Sequence, residues 1–185
     1  MAVLSADVEI RLSTQSGAAG NSTASTPAAS IGKYMATTEL TDASLENLFR
    51  NITALEAETG ITLYRCLFVY NTSADLWESV KLWLVSQIAG GGTVAVGLDP
   101  AGAVANDSGS AQAAVPADGE TAPSGVTFSS PTSIDTALEL GDIAAGECYA
   151  FWFKLTVPAD IEALNLDNAL FIVRGVSEPR PLDHG

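Results

Sequence analysis

Basic residues are scarce in this sequence: eight Lys and Arg stand against 22 Asp and Glu among 185 residues, which gives a formal net charge of −14. Proteins that bind DNA or RNA present basic surfaces that displace counterions from phosphates, and anionic membranes attract basic segments. We therefore expect neither nucleic acid nor a membrane as a partner. Long apolar runs are missing too, because no stretch approaches the roughly 18 uninterrupted apolar residues of a membrane-spanning helix.

The first residues, "MAVLSADVEIRL", lack the features of a secretory signal. They contain neither a basic n-region nor a long apolar run. We therefore expect a protein that is made and kept in a cytoplasm, or that is released by lysis rather than by secretion.

Residue types that commonly carry out chemistry are few. There is one histidine, His184, and there are two cysteines, Cys66 and Cys148, neither of which belongs to a C-x-x-C motif. Each cysteine lies in an apolar run, which favours two buried free thiols; the alternative is one disulfide between sheets. Nucleophile-elbow, zinc-protease, dinucleotide and P-loop motifs are missing as well. The sequence predicts no catalytic, cofactor-binding or metal-binding residue, and we expect a protein that is not an enzyme.

One group of side chains with oxygen atoms is a candidate for binding a metal ion. Asp99, Asn106 and Asp107 come close together in "DPAGAVANDSGS" and could hold a calcium ion. The order of ligands does not match that of an EF-hand loop, so a solvated loop is the favoured interpretation.

The N-terminal part of the chain alternates between strand-like and featureless segments. Residues 6–12 alternate apolar and polar side chains, which predicts a strand, and residues 31–40 could form another. Residues 13–30 contain no bulky apolar side chain and predict a flexible or extended arm that becomes ordered only on a partner. Residues 44–59 predict one or two short helical turns, with a capping box at Thr53 and Glu56.

The remaining chain reads as a series of strands. Residues 61–71 are apolar on both faces, as in an inner strand, and "WESVKLWLVSQI" and "TVAVGL" follow after turns. "VTFSS", the run around residues 147–157 and "NALFIVRGVSE" supply the last strands. Residues 99–125 are poor in bulky residues and predict a surface loop or a pair of weak strands. This spacing is typical of an antiparallel β-sandwich.

The segment "ECYAFWFKLTVPAD" is the most aromatic part of the chain. Phe151 and Phe153 share one face with Tyr149, whereas Trp152 and Lys154 share the other. A binding wall would bring several polar groups together among the aromatic rings, and this face has only the Tyr149 hydroxyl. We therefore expect a core strand, with Trp152 on a wetter face and available for an interface.

Three stretches resemble structural proteins of tailed bacteriophages: "YRCLFVYNTSADLWESVKLWLVSQ", "LGDIAAGECYAFWFKLTVPAD" and "LFIVRG". In that family a Tyr-Arg strand leads through an Asn-Thr turn into a long apolar strand, and a Leu-Gly turn precedes an aromatic strand that ends in Thr-Val-Pro. The resemblance covers residues 44–176 and implies an all-β fold, an immunoglobulin-like antiparallel β-sandwich. It carries no catalytic residue over to this chain.

The expected organisation is an N-terminal strand and arm over 1–43, a β-sandwich domain over 44–176 and a C-terminal tail over 177–185. The expected function is that of a virion protein, namely a decoration (cement) protein that contacts the major capsid protein and neighbouring copies of itself. The first alternative is a tail or neck component. The second is a carbohydrate-binding adhesion module with Trp77, Trp83 or Trp152 as a sugar platform, and a glycosidase-like carboxylate pair is the remaining enzyme hypothesis.

Overall fold

The computed structural model describes residues 3–20, 22–23, 26–41, 44, 46–161 and 168–176. These residues form two antiparallel sheets, which confirms the predicted all-β sandwich. The strands are β1 (Val8–Thr14), β2 (Tyr34–Glu39), β3 (Ile61–Asn71), β4 (Trp77–Ser86), β5 (Thr93–Ala105), β6 (Leu138–Ile143), β7 (Glu147–Val157) and β8 (Leu170–Val176). One helix, α1 (Ala54–Thr59), and two 3₁₀ turns, Ser5–Asp7 and Pro27–Ala29, complete the described elements.

The two sheets differ in size. The large sheet has five strands in the order β2-β1-β3-β7-β5, and the small sheet has three in the order β6-β4-β8. From β3 to β8 each strand lies in the sheet opposite its predecessor. An immunoglobulin domain instead keeps strands A and B together in one sheet and strands F and G together in the other. The strand order therefore differs from the immunoglobulin-like topology that the resemblance implies.

Strands β3 and β7 are the centre of the large sheet, and both are buried on two faces. They pair in one unbroken register from Ile61 opposite Val157 to Tyr70 opposite Cys148. Leu67 and Phe151 face the small sheet and belong to the core between the sheets. Phe68 and Trp152 face the other way and belong to a second buried cluster on the outer face of the large sheet. The prediction that residues 61–71 form an inner strand is confirmed.

A long loop covers the outer face of the large sheet. Strand β5 continues to Ala105, beyond the predicted end of "TVAVGL", and "VTFSS" forms only a single bridge, between Ser129 and Val96, instead of a strand. Between them, Gln112 and Ala113 are buried on the outer cluster. Of the stretch over 99–125, residues 99–105 therefore form the end of β5, in part agreement with the predicted weak strands. The loop over 106–125, which we call the loop cover, packs on the outer cluster at Gln112 and Ala113.

The N-terminal part of the chain also differs from the expected arm. The strand predicted over 6–12 is confirmed as β1, but β1 pairs with β2 on one side and with β3 on the other. Ser30, in the segment expected to need a partner, is fully buried, and its hydroxyl donates to the Cys66 carbonyl over 2.5 Å. Small side chains allow this close approach, and hydrogen bonds to the sheet replace apolar burial as the source of order.

The predicted helical turns are confirmed in part. Thr53 and Glu56 form the capping box of α1, and Gly60 ends the helix with φ 77°. Residues 46–50 are not helical, since Glu46 has φ 57° and a turn follows. Leu48 is nevertheless buried against the core. His184 and the predicted tail over 177–185 lie outside the described residues.

Candidate interaction surface

The aromatic strand β7 is part of the core. Phe151 and Phe153 are at most 3% exposed, and both rings contact Phe171 of the small sheet. The interpretation as a core strand is therefore confirmed. The expected exposure of Trp152 is wrong, because its side chain is fully buried and its indole Nε1 donates to Asp99 Oδ2 over 2.8 Å.

The candidate calcium ligands do not come together as a site. Asp99 is only 2% exposed, and its carboxylate accepts hydrogen bonds from Trp152 Nε1 and from the backbone amides of Ala101 and Ala114. The Asn106 side chain donates to the Tyr70 hydroxyl over 2.6 Å, whereas Asp107 is exposed. Asp99 therefore fixes the loop cover onto β7. Across the described ranges, no three His, Cys, Asp or Glu side chains gather in a way that could hold a metal ion.

Both cysteines are buried free thiols in the outer cluster, as the favoured interpretation predicted. Burial raises the pKa of Cys66 well above its usual value and raises the pKa of Cys148 to about 12. A buried thiol with a raised pKa holds little of the thiolate that nucleophilic chemistry requires. These residues therefore pack as small apolar side chains.

Arg65 is an unusual buried cation on the core side of β3. It is 3% exposed, its guanidinium donates to the Tyr64 carbonyl over 2.6 Å, and desolvation lowers its pKa. Its Nε has no hydrogen-bond partner among the described residues. Gly119 lies so close that a Cβ there would meet the guanidinium at 2.2 Å, which seals the group from solvent. Arg65 is thus a packed structural residue, inaccessible to a ligand.

Several exposed apolar side chains lie together on the outer face of the small sheet, which we call the β4–β8 face. In β4, Val80, Leu82 and Leu84 point into the core with no exposed area, which leaves Trp83 and Val85 on the outside. In β8 every second residue is exposed. The outward residues of β8 are Leu170 (55% exposed), Ile172 (39%), Arg174 and Val176 (60%).

Strand pairing makes these outward residues one continuous patch. Trp83 lies opposite Ile172, and Lys81 lies opposite Arg174. Val85, next along β4, is 52% exposed. The patch is therefore apolar around Trp83, Val85 and Ile172 and charged around Lys81 and Arg174, where Lys81 pairs with Glu139 at 3.0 Å. Beyond these charges, Val176 lies opposite Glu78. Apolar surface of this kind, bordered by polar groups, is typical of a site that contacts another macromolecule.

Of the three tryptophans proposed as sugar platforms, only Trp83 is at this surface. Trp77 is 6% exposed and Trp152 is fully buried, so neither can stack on a sugar. Beside the β4–β8 face, a shallow groove of about 210 Å³ is lined by Ser79, Val80, Lys81, Glu139, Gly141 and Asp142. It is smaller than the roughly 300–1,000 Å³ of typical small-molecule pockets.

Comparisons with protein-family models, with curated proteins and with solved structures find no match to this chain. Within the part of the chain that is described, no helix is long and apolar enough to cross a membrane. From the sequence only Trp83 of the β4–β8 face was named as a candidate surface residue, because "LFIVRG" is apolar at every position except Arg174 and its composition does not show which face of the strand is exposed. The pattern of alternating polar residues in β4, with Lys81 between Val80 and Leu82, was the available signal.

Proposed function

We propose that this protein is a non-enzymatic structural component of a tailed-phage particle, and that it binds the outer surface of the capsid as a decoration protein. Its partners would be the major capsid protein and neighbouring copies of itself. It would be made in the host cytoplasm and reside in the virion. The observation that carries the proposal is the exposed apolar β4–β8 face, which supports a function in protein–protein contact.

The distribution of charge supports this orientation. The chain as a whole is strongly acidic, but on the β4–β8 face Lys81 and Arg174 balance the neighbouring Glu78 and Glu139. Like charges repel across an interface, so an acidic protein approaches an acidic surface best through a region where its own negative charge is lowest. The acidic remainder would face solvent, away from the packaged nucleic acid.

The first test is to locate the chain. Particles purified from lysates of the phage or prophage that encodes it should contain the protein in a copy number comparable to that of the major capsid protein, as measured by quantitative mass spectrometry. A handful of copies per particle would favour the tail or neck alternative. Absence from purified particles would refute the proposal.

The second test addresses the face itself. Val85→Ser should weaken binding of the purified protein to particles stripped of it, because Val85 lies within the face. Val115→Ser is a matched control, since Val115 is 53% exposed but lies in the loop cover. Both variants should keep the wild-type melting temperature. Equal binding by both would remove the β4–β8 face from the mechanism.

One observation favours the adhesion alternative, namely the partly exposed Trp83 ring in the same face. Trp is common at interfaces because its ring is apolar while its N–H group can form a hydrogen bond. A glycan array with wild type and Trp83→Ala separates the two functions. Saturable glycan binding that the variant loses would favour adhesion over decoration.

A further inference from the structure

We infer that two copies of this chain associate through strand β8, in an antiparallel twofold pair centred on Val173 that joins their small sheets into one. This deepens the proposed function, because it names the segment by which neighbouring copies would contact each other. It can be tested on the purified protein without any particle.

The first observation concerns the edges of the two sheets. The edge of β2 is covered by Ser22, whose carbonyl accepts from Thr37 N, and the edge of β5 by Ser129, which exchanges two backbone hydrogen bonds with Val96. Strand β6 is short and acidic, with Glu139 and Asp142. These are the devices by which proteins protect sheet edges from pairing with other chains.

Among the residues that the structure describes, strand β8 lacks the paired backbone and the acidic side chains found at those other edges. It contains no proline, a single charged residue, Arg174, and no described strand or bridge on its outer side. An apolar edge strand without such protection is a template for another strand.

The second observation identifies which backbone groups the open edge presents. Leu84 N donates to the Pro131 carbonyl on the β6 side of β4. The preceding residue, Trp83, therefore directs its amide towards β8. Trp83 lies opposite Ile172, and Leu170 N donates to Ser86 Oγ of β4. Because N–H and C=O groups alternate in direction along a strand, even-numbered residues of β8 bond to β4. Phe171, Val173 and Gly175 therefore direct their backbone N–H and C=O groups towards the open edge of the sheet.

This arrangement is self-complementary. A twofold axis at Val173 places Phe171 opposite Gly175 of the second copy. It pairs all seven residues of β8 with the seven residues of β8 in the second copy. Each hydrogen-bonded pair exchanges two backbone bonds, which gives about six across the edge. A register centred on Arg174 would instead set two guanidinium groups against each other, and like charges directly opposite are unfavourable.

The side chains fit the same register on both faces. On the core side, Gly175 has no side chain because a Cβ there would meet Trp77 Nε1 at 2.5 Å. Phe171, which is only partly buried in its own chain, would lie opposite that glycine and beside the Trp77 indole that already covers it. On the outer face, Arg174 would lie across Ile172 of the second copy, in the same row as its Trp83 ring.

The expected strength follows from size and charge. One strand pair buries less than the roughly 1,200–2,000 Å² of a stable interface, so we expect a dimer that forms only at micromolar or higher concentrations. Each copy carries a net charge of −14. Added salt should therefore tighten the dimer, since the Debye length falls from about 30 Å at 0.01 M to about 8 Å at 0.15 M.

Sedimentation of the full chain tests the inference. The mass should rise with concentration from 19.1 kDa to twice that value, more readily at the higher salt. A protein that stays monomeric at millimolar concentration at both salt levels would overturn it. Association that weakens with salt would also overturn it, because that response indicates contact between opposite charges.

Charge variants test the register. Ile172→Lys sets a lysine opposite Arg174 of the second copy and should raise the dimer dissociation constant at least about tenfold, or ~1.4 kcal/mol. Adding Arg174→Glu to it should restore wild-type affinity, because each lysine then faces a glutamate. Val115→Lys, which makes the same charge change in the loop cover, should not weaken the dimer. Failure of the double variant to restore affinity would overturn the register.

Val173→Pro provides an independent check should the charged variants fold poorly. It removes an amide that points to the open edge rather than to β4, so the protomer should keep its fold while the dimer is lost. A dimer that persists in this variant overturns the inference. If self-association fails while particles still carry the chain, the inference alone is lost; if the dimer forms but particles lack the chain, the proposed function alone is lost.

Discussion

The contact between Asp99 and Trp152 provides the sharpest test of how the outer face of the large sheet is covered. Asp99 Oδ2 accepts from Trp152 Nε1 and from the Ala114 amide, both at 2.8 Å, while Oδ1 accepts from Ala101 N at 3.0 Å. Asp99→Ala would leave the buried indole and the Ala114 amide without an acceptor. The exposed residue Ala101 would bond to water instead.

The expected loss in the free energy of unfolding follows from the number of buried donors that lose their acceptor. A buried donor that loses its partner costs about 1–3 kcal/mol, so two such donors cost about 2–6 kcal/mol. A domain of this size is stable by roughly 5–15 kcal/mol. Asp99→Ala should therefore remove a large share of the stability. Asp99→Asn keeps one oxygen for Trp152 and Ala114 and should cost only about 1 kcal/mol, because its amide group faces Ala101 alone.

Urea unfolding followed by far-UV circular dichroism measures these losses. With a slope of about 1–3 kcal/mol per molar urea, Asp99→Ala should lower the midpoint by about 1 M or more. Trp152→Phe completes a double-mutant cycle, and the two substitutions should couple by at least about 1 kcal/mol because the residues are in contact. A loss below about 0.5 kcal/mol for Asp99→Ala, or strict additivity in the cycle, would show that Asp99 does not fix the cover.

Three further predictions follow from the burial and the hydrogen bonds. Both cysteines should be unreactive towards a thiol reagent at pH 8 in the native protein and fully reactive in denaturant, as absorbance would measure; rapid labelling of the native form would contradict their burial. The hydrogen bond from Arg50 lowers the pKa of Glu56 to about 2, so its stabilisation of α1 is present above about pH 4.5 and is lost as the pH falls towards 2; the protection of the α1 amides, measured relative to their intrinsic exchange rate at each pH, should fall over that range, and should not in Glu56→Gln. Deleting residues 1–30 should abolish cooperative unfolding, because β1 lies between β2 and β3; a truncated protein with wild-type circular dichroism would restore the idea of a separate arm.

Strands were predicted best from the sequence where bulky apolar residues are regularly spaced. Alternation in β1, apolar residues on both faces of β3 and the aromatic face of β7 predicted those elements and the burial of Phe151 and Phe153. The sequence alone did not predict the order of the strands in the two sheets. Which sheet each strand joins depends on contacts between residues far apart in the chain, such as β3 with β7, and local periodicity carries no information on these.

The segments without bulky residues were harder to predict, for a common physical reason. Residues 13–30 and the loop cover are rich in Ala, Ser and Gly, which supply little apolar area, and so the sequence predicted an arm and a surface loop. In the structure they are held by hydrogen bonds: Ser13 N donates to Ser30 Oγ at 2.8 Å, and Gln112 Oε1 accepts from Met35 N at 2.8 Å. Small residues are suited to this because they bring backbones close enough to exchange such bonds.

The two sheets thus differ in how far they are covered, and the proposed contacts use the sheet that is left exposed. The large sheet has its outer face covered by the loop, which Asp99 holds, and its edges covered by Ser22 and Ser129. The small sheet has an apolar face that is exposed at Val85, Leu170 and Ile172, and β8 is an edge strand with no described strand on its outer side. Exposed apolar groups in water are unfavourable, which supports the proposal that the face and edge of the small sheet become buried on assembly.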